Sequence, residues 1–205
     1  MPAIPVQRAP STLINQPFSW LPEAHQKGVL IGAILLTAVL MAAIVMTNAP
    51  LQSPAAPMGI VSLQLAGSLP AARAILASWG TGEQGWAKLN LGIDYLYLFA
   101  YATTLSLGCM LLARRFLANR CVAILGVGLS WGVVVAALLD TVENGFLLLL
   151  LLGNPLEAWA VLAYWCAVPK FALVLAALTY LVIGGLACLV ERAVGKRRGR
   201  GNEPC

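Results

Sequence analysis

The sequence predicts an all-α fold, a polytopic membrane protein built as a bundle of four transmembrane helices. Of its 205 residues, 60% are hydrophobic and only 10% are charged, and the mean hydropathy is +0.83. Soluble domains, in contrast, are about a quarter charged. Four long apolar runs account for this composition, and most basic residues stand beside the runs. The lipid bilayer is therefore the expected environment for a single domain without a linker.

The first predicted span is the uncharged run at 28–47, which is long enough as a helix to cross a hydrocarbon core of ~30 Å. Residues 1–27, which precede it, are rich in proline and polar residues and are expected to form an irregular cytoplasmic tail. A cleaved signal peptide is the alternative, but the tail and the apolar run are both long for one. We therefore expect an uncleaved anchor.

Residues 48–89 form the predicted outside loop. Four prolines and the Gly-rich segment 80–85 in this region are expected to prevent a helix from crossing the bilayer. Within the loop, Ser68 is a good N-cap for a short amphipathic helix that ends near Gly80. We expect this helix to lie on the membrane surface or to cap the bundle.

The remaining spans are predicted at about 90–113, 121–152 and 156–190. The turn residues at 153–155 separate the last two spans, and a basic cytoplasmic tail follows at 191–205. The four spans together make a transmembrane domain at 28–190. Two GxxxG motifs, which begin at Gly28 and Gly128, also predict close helix packing.

The basic residues predict the orientation, because Lys and Arg are retained on the cytoplasmic side. Only Arg73 and Lys88 fall in the outside loop, and Lys170 lies within an apolar run. The other basic residues would all be cytoplasmic: Arg8, Lys27, Arg114, Arg115, Arg120, Arg192, Lys196, Arg197, Arg198 and Arg200. This distribution predicts a multi-pass protein of the plasma membrane or bacterial inner membrane, with both termini in the cytoplasm.

Four ionisable residues interrupt the apolar runs: Asp94, Asp140, Glu143 and Lys170. Each charge in a span costs ~2.5 to 3.5 kcal/mol on insertion scales, so such residues tend to face the bundle interior and to pair. Asp94 lies 20 residues before Arg114, Asp140 lies 20 residues after Arg120, and Lys170 lies 20 residues before the cytoplasmic end of its run at 190. They are therefore expected at one level of the bundle.

The turn at Asn154 predicts which of these residues meet. Asp140 precedes this turn by about as many residues as Lys170 follows it, so an antiparallel hairpin would bring Lys170 beside Asp140 or Glu143. Asp140, Glu143 and Asn144 share one helix face at spacings i, i+3 and i+4. Asp94, Tyr97, Tyr101 and Thr104 form a similar stripe on the second helix. These residues together predict one polar seam through the bundle.

Three acids and one base leave surplus negative charge in a poorly hydrated place. Protonation of a carboxyl group, hydrogen bonds from Tyr97 and Tyr101, or a bound cation or cationic ligand would each compensate for it. The seam could also serve only as polar glue between helices. The proposed ligand- or ion-binding residues are Asp94, Tyr97, Tyr101, Asp140, Glu143, Asn144 and Lys170.

Three functional classes remain open from the sequence. The leading one is a small membrane protein that binds or moves a small ligand, cation or proton through the seam. The second is an accessory or assembly subunit whose seam is structural, with a membrane protein or a second copy of the chain as its partner. The third is a lipid-modifying enzyme that uses the carboxyl groups for proton transfer, although no catalytic residue can be assigned.

Several other classes are disfavoured by residue types and spacing. The five cysteines include no CxxC pair, and His25, the single histidine, lies in the N-terminal tail. We therefore expect no metal site and no cofactor. The basic residues are not interleaved with aromatic ones, so nucleic acid is not an expected partner.

The predicted architecture is similar to that of the sterol-isomerase and sigma-2-receptor group. The likeness lies in four helices, a long loop after the first of them, and acids that face a central cavity. It is an analogy of architecture, and it assigns no residue of this chain a role. Vitamin K epoxide reductase-like proteins share the helix count but require a CxxC pair.

Overall fold

The computed structural model describes residues 16–154 and 156–200, with side chains up to Glu191. This part of the chain is helical and contains no strand. The helices are α1 (Glu23–Asn48), α2 (Ile60–Gln64), α3 (Leu69–Ser78), α4 (Thr81–Ala113), α5 (Arg120–Leu151) and α6 (Glu157–Arg200). Four of them, α1, α4, α5 and α6, are long and apolar enough to cross a membrane. The predicted all-α fold with four such helices is confirmed.

Some helix boundaries differ from the prediction. Helix α1 begins at Glu23, within the tail that was expected to be irregular, and α4 begins at Thr81, within the expected loop. The Gly-rich segment 80–85 is therefore mostly helical. Gln84 Nε2 donates to the carbonyl oxygens of Leu76 and Trp79, both at 3.3 Å. These bonds join the end of α3 to the start of α4 and offset the cost of glycine, about 1 kcal/mol per residue.

The turn between α5 and α6 lies where the sequence places it. Gly153 has a φ of +83°, a left-handed conformation that glycine adopts without strain. The N–H groups of Gly153 and Asn154 donate to the carbonyl oxygens of Leu150 and Leu149, both at 3.1 Å. This pair of hydrogen bonds is the Schellman motif, which satisfies carbonyl groups at the end of α5. Pro155 of the predicted turn, the tail residues 1–15 and residues 201–205 lie outside the described residues.

Helix α4 is the centre of the bundle, because it packs against α1, α5 and α6. Helices α5 and α6 form the predicted hairpin and pack closely along their length. Ser106 of α4 and Ser130 of α5 are fully buried where these two helices meet. Each serine Oγ donates to the backbone carbonyl of the other, at 2.9 and 2.8 Å. Such small residues let two helices approach closely.

The segment between α1 and α4 folds over one end of the bundle. Its buried side chains pack against apolar residues of α4, α5 and α6, and Trp79 Nε1 donates to the carbonyl of Leu51 at 2.8 Å. Ser68 is the N-cap of α3, as predicted, and accepts a hydrogen bond from Ala71 N at 3.4 Å. Of the two predicted locations for α3, the structure therefore shows a cap on the bundle. The short helix α2 was not predicted.

Helix α1 stands apart from the rest of the bundle. It packs against α4 and makes almost no contact with α6. Polar contacts fasten it to α4 at three levels. Arg114 Nη1 lies 3.3 Å from Glu23 Oε1, Thr37 Oγ1 is 3.0 Å from Thr104 Oγ1, and Asn90 Nδ2 donates to Thr47 Oγ1 at 2.7 Å. The result is a gap between α1 and α6, with α4 as its floor.

The glycine motifs do not contribute to packing as predicted. A methyl group added at Gly28, Gly32 or Gly128 would meet open space, whereas Gly132 faces Leu173. The close approach occurs instead at Gly126, where a methyl group would overlap Tyr180 and Ala113. The GxxxG prediction is therefore wrong for three of its four glycines, because they lie on faces that no other helix of the described structure covers.

Candidate functional site

Lys170 of α6 forms a buried ion pair with two acids of α5. Its Nζ lies 3.0 Å from Asp140 Oδ1 and 2.7 Å from Glu143 Oε2, and also 4.6 Å from the centre of the Phe171 ring. Lys170 and Asp140 are each 4% exposed, and Glu143 is fully buried. The hairpin therefore brings together the three residues that the sequence predicted to meet. Burial this deep makes the pair costly to break.

Asp94 of α4 is held on the other side of the cluster. Asn144 Nδ2 donates to Asp94 Oδ2 at 2.6 Å, which links α4 to α5. Tyr101 Oη donates to Asp140 Oδ2 at 2.9 Å, a second link between the same helices. The polar seam thus runs from α4 across α5 to α6, with every named bond between different helices.

A cavity of about 580 Å³ lies beside this seam. Helices α1, α4 and α6 form its walls, α2 closes one end, and its accessible surface is almost entirely apolar. Among the seven predicted site residues, five line the cavity: Asp94, Tyr97, Tyr101, Asp140 and Lys170. Glu143 and Asn144 do not line the cavity. They contact Lys170 and Asp94, respectively. The volume is in the range of small-molecule sites.

Tyr97 and Tyr101 form an aromatic edge along the cavity. Their ring centres are 5.2 Å apart with tilted planes, an arrangement that favours aromatic pairs. Tyr101 is buried and uses its hydroxyl group on Asp140. Tyr97 is half-buried and lies one helical turn from Asp94. The two rings therefore line the cavity between Asp94 and Leu105 along α4.

Comparison with protein-family models, with curated proteins and with solved structures finds no match. The assignment of a function therefore depends on the geometry of this chain.

Gln64 and Asn90 are two of the polar cavity residues that the sequence did not predict. Gln64 of α2 is 6% exposed, and its Oε1 has no hydrogen-bond partner among the described residues. Asn90 of α4 also lines the cavity, one helical turn before Asp94. A polar residue in the apolar stretch 60–66 was the available signal for Gln64. Its place in the bundle depends on how the loop folds, which the pattern of spans does not predict.

The charges of the cluster do not balance within the described residues. Lys170 is the one base in contact with the seam, and it pairs with Asp140 and Glu143. Asp94 makes no ion pair in this part of the chain and accepts a hydrogen bond from the amide group of Asn144. Glu143 Oε1 and Asn144 Oδ1 are buried without a hydrogen-bond partner in the described structure. If every group is ionised, the seam carries surplus negative charge on the side of Asp94.

No group of three or more His, Cys, Asp or Glu side chains that could hold a metal ion occurs in the part of the chain that the structure describes. The chemistry that the site offers is that of hydrogen-bond acceptors beside an apolar chamber. The carboxylates of Asp94 and Asp140 can accept hydrogen bonds from a cationic group, and the apolar walls can exclude water from a bound molecule.

Proposed function

We propose that this chain is a multi-pass membrane protein that binds or moves a small ligand, cation or proton at the acidic wall of its cavity. Its membrane is the plasma membrane or the bacterial inner membrane, with both termini in the cytoplasm. The observation that carries the proposal is the position of Asp94, which lines a chamber of about 580 Å³ without a basic partner among the described residues. A purely structural carboxylate would not need an adjoining chamber.

The outer surfaces of the four long helices support the membrane location. Large apolar side chains are exposed along their outer faces, for example Leu35 at 63%, Phe99 at 70% and Leu175 at 66%. In water such surfaces would cause aggregation, whereas in lipid they face hydrocarbon. The polar seam lies on the inner faces of the same helices, as expected for ionisable groups in a membrane.

The test measures whether cations stabilise the folded protein through Asp94. The unfolding temperature of the protein in nanodiscs is measured with small ammonium ions, alkali metal ions and divalent ions at constant ionic strength, and then at several pH values. A species that binds only the folded state raises this temperature by mass action. We expect the wild type to respond to at least one of these changes, and the Asp94→Asn variant to lose that response.

The control is Glu191→Gln, which removes a carboxylate from an exposed position on α6, away from the cavity. This variant should respond as the wild type does. A wild type without any response, or an Asp94→Asn variant with the full response, would contradict the proposed site. An Asp94→Asn variant that cannot accumulate would favour a structural role for the seam.

A specific observation also favours the second candidate, an accessory or assembly subunit. Glu143 and Asn144 are fully buried and do not line the cavity, although they join the helices through Lys170 and Asp94. Part of the seam therefore acts as glue between helices. Native mass measurement after purification in mild detergent separates the candidates, because an assembly subunit would retain a protein partner.

A further inference from the structure

The cavity combines two kinds of surface that are unevenly placed. One wall carries the carboxylates of Asp94 and Asp140, close to the end that α2 closes. The rest of the surface is almost entirely apolar, and much of it comes from two helices that make almost no contact with each other. These apolar residues are Met41, Ile44 and Val45 of α1, and Phe171, Val174 and Leu178 of α6. A ligand that matches both surfaces has a polar end and an apolar end.

The polar end of such a ligand should carry a positive charge. Lys170 already contacts Asp140, Glu143 and the Phe171 ring. Its positive charge is therefore paired with the two acids of α5. Asp94 has no ion-pair partner among the described residues and accepts a hydrogen bond from the neutral amide of Asn144. A hydrogen bond between an ammonium group and a carboxylate is about twice as strong as one between neutral groups, and more so where water is excluded.

Gln64 adds an acceptor on the same cavity. It is 6% exposed, lines the cavity, and leaves its amide oxygen without a hydrogen-bond partner among the described residues. A buried acceptor without a partner is costly, because it loses the hydrogen bond that it makes to water in the unfolded chain. A ligand with N–H or O–H donors would remove this cost. Gln64 is therefore an observation, independent of the acids, that points to a donor-bearing ligand.

A bare metal ion fits this surface poorly. Mg²⁺ requires octahedral coordination by oxygen and Ca²⁺ takes about six to eight oxygen ligands. The described residues contain no cluster of three potential metal ligands, and most of the cavity surface is apolar. An organic cation, in contrast, uses one or two carboxylates for its charged group and an apolar wall for its carbon chain.

We propose that the cavity binds an amphipathic organic amine, with its ammonium group at Asp94 and its apolar part between α1 and α6. This inference rests on the proposed function, and it names the ligand class for that site. The gap between α1 and α6 is the route of access from the bilayer. An amphipathic amine collects at the membrane interface, with its chain in the lipid and its charge near water, so it reaches this gap from the lipid side.

The probe is 4-phenylbutylamine, which carries an ammonium group on an apolar chain that is too short to act as a detergent. Its matched analogues are 4-phenylbutanol, which is neutral, and 4-phenylbutyrate, which is an anion. Binding to the full chain in nanodiscs is measured by equilibrium titration, with empty nanodiscs subtracted. We expect saturable binding of the amine, at least about tenfold weaker binding of the alcohol, and no saturable binding of the anion.

Two variants locate the amine in the cavity. Asp94→Asn removes the charge and should weaken amine binding about tenfold or more, while leaving the binding of the alcohol unchanged. Val45→Trp fills the apolar part from α1, where Val45 is 60% exposed and lies outside the packed core. This variant should fold normally and weaken binding of the amine and the alcohol alike. Glu191→Gln should leave both affinities unchanged.

The outcomes distinguish this inference from the proposed function. If ammonium, metal ions or protons stabilise the protein through Asp94 but 4-phenylbutylamine does not bind, the proposed function stands and the amphipathic ligand is wrong. If amine and alcohol bind equally, or if Asp94→Asn and Val45→Trp both leave amine binding unchanged, the inference is overturned. If Asp94→Asn fails to fold, two measurements decide. The wild type should bind the amine more tightly than the alcohol, and Val45→Trp should weaken the binding of both.

Discussion

Lys170 is the base of the buried ion pair. The residue is 4% exposed, and its ammonium group lies between two carboxylates at 3.0 and 2.7 Å. Removal of one partner from a buried ion pair leaves an uncompensated charge, and this costs more than the intact pair contributes. The pair therefore specifies how α5 and α6 align, whether or not the cavity has a ligand.

We expect Lys170→Met to lower the free energy of unfolding by about 3 to 5 kcal/mol, because Asp140 and Glu143 would remain buried without a cation. Adding Asp140→Asn should recover part of this loss, since one of the two unpaired carboxylates is then neutral. Glu143 would still lack its partner, so the recovery should be incomplete. Equilibrium unfolding in mild detergent measures Lys170→Met, Asp140→Asn alone and the double variant.

The control for this cycle is Lys88→Met, which removes a lysine from an exposed position on α4. Its effect on the free energy of unfolding should be small. If the double variant loses the plain sum of the two single losses, the residues do not interact, and the ion pair makes no contribution to stability.

At the residue scale, the sequence predicted the contacts that follow from helix geometry alone. Equal distance from the turn at Asn154 brings Lys170 to Asp140, and spacing along α4 places Asp94 and Tyr101 on one stripe. Gln64 was missed because its position depends on a loop that folds back over the bundle. The partner of Asp94 was also not specified, because the rotation of α4 relative to α5 depends on small-residue contacts such as Ser106 with Ser130.

Helix α5 approaches α4 and α6 closely at Gly126, which has no side chain. Gly126 faces both Tyr180 of α6 and Ala113 of α4, and Tyr180 Oη donates to the carbonyl of Val122 at 3.2 Å. A larger residue at this position would push the tyrosine away and break that bond. The GxxxG motif at 128–132 was the stronger sequence signal, but spacing alone cannot say which face of α5 the other helices cover.

We expect Gly126→Ala to destabilise the protein by about 1 to 3 kcal/mol, the usual cost of overpacking. Gly128→Ala is the matched control, since its added methyl group would meet open space. This control should be neutral, or stabilising by up to about 1 kcal/mol through helix propensity. Unfolding temperatures of the two variants in the same detergent give the comparison. Equal effects would mean that α5 does not approach α4 and α6 as described.

At the scale of the whole molecule, the bundle has two different ends. One end carries the folded cap of α2 and α3, and the other carries the basic residues at 114–120. The sequence predicted the number of long helices because an apolar run of sufficient length is a property of composition. It did not predict that the cavity lies between α1 and α6, because this gap arises from α1 packing mainly on α4. That arrangement depends on contacts such as Asn90 with Thr47.

The asymmetry of the two ends predicts the orientation, because basic residues are retained in the cytoplasm. Ala55 lies exposed in the cap, and Cys121 is exposed at the start of α5, at the opposite end of the bundle. Two proteins are compared, one with Ala55→Cys as its only cysteine and one that keeps only Cys121. A membrane-impermeant maleimide should label the first in intact cells and the second only after permeabilisation.

Two other labelling patterns would contradict different parts of this prediction. The reverse pattern would place the cap inside and overturn the orientation. Labelling of both cysteines in intact cells would mean that both sites face the outside, so that α4 does not cross the membrane between them. The orientation also decides where an amphipathic amine reaches the chain. Asp94 lies nearer the capped end of α4 than its basic end, so an outward cap places the acidic wall in the outer half of the bilayer.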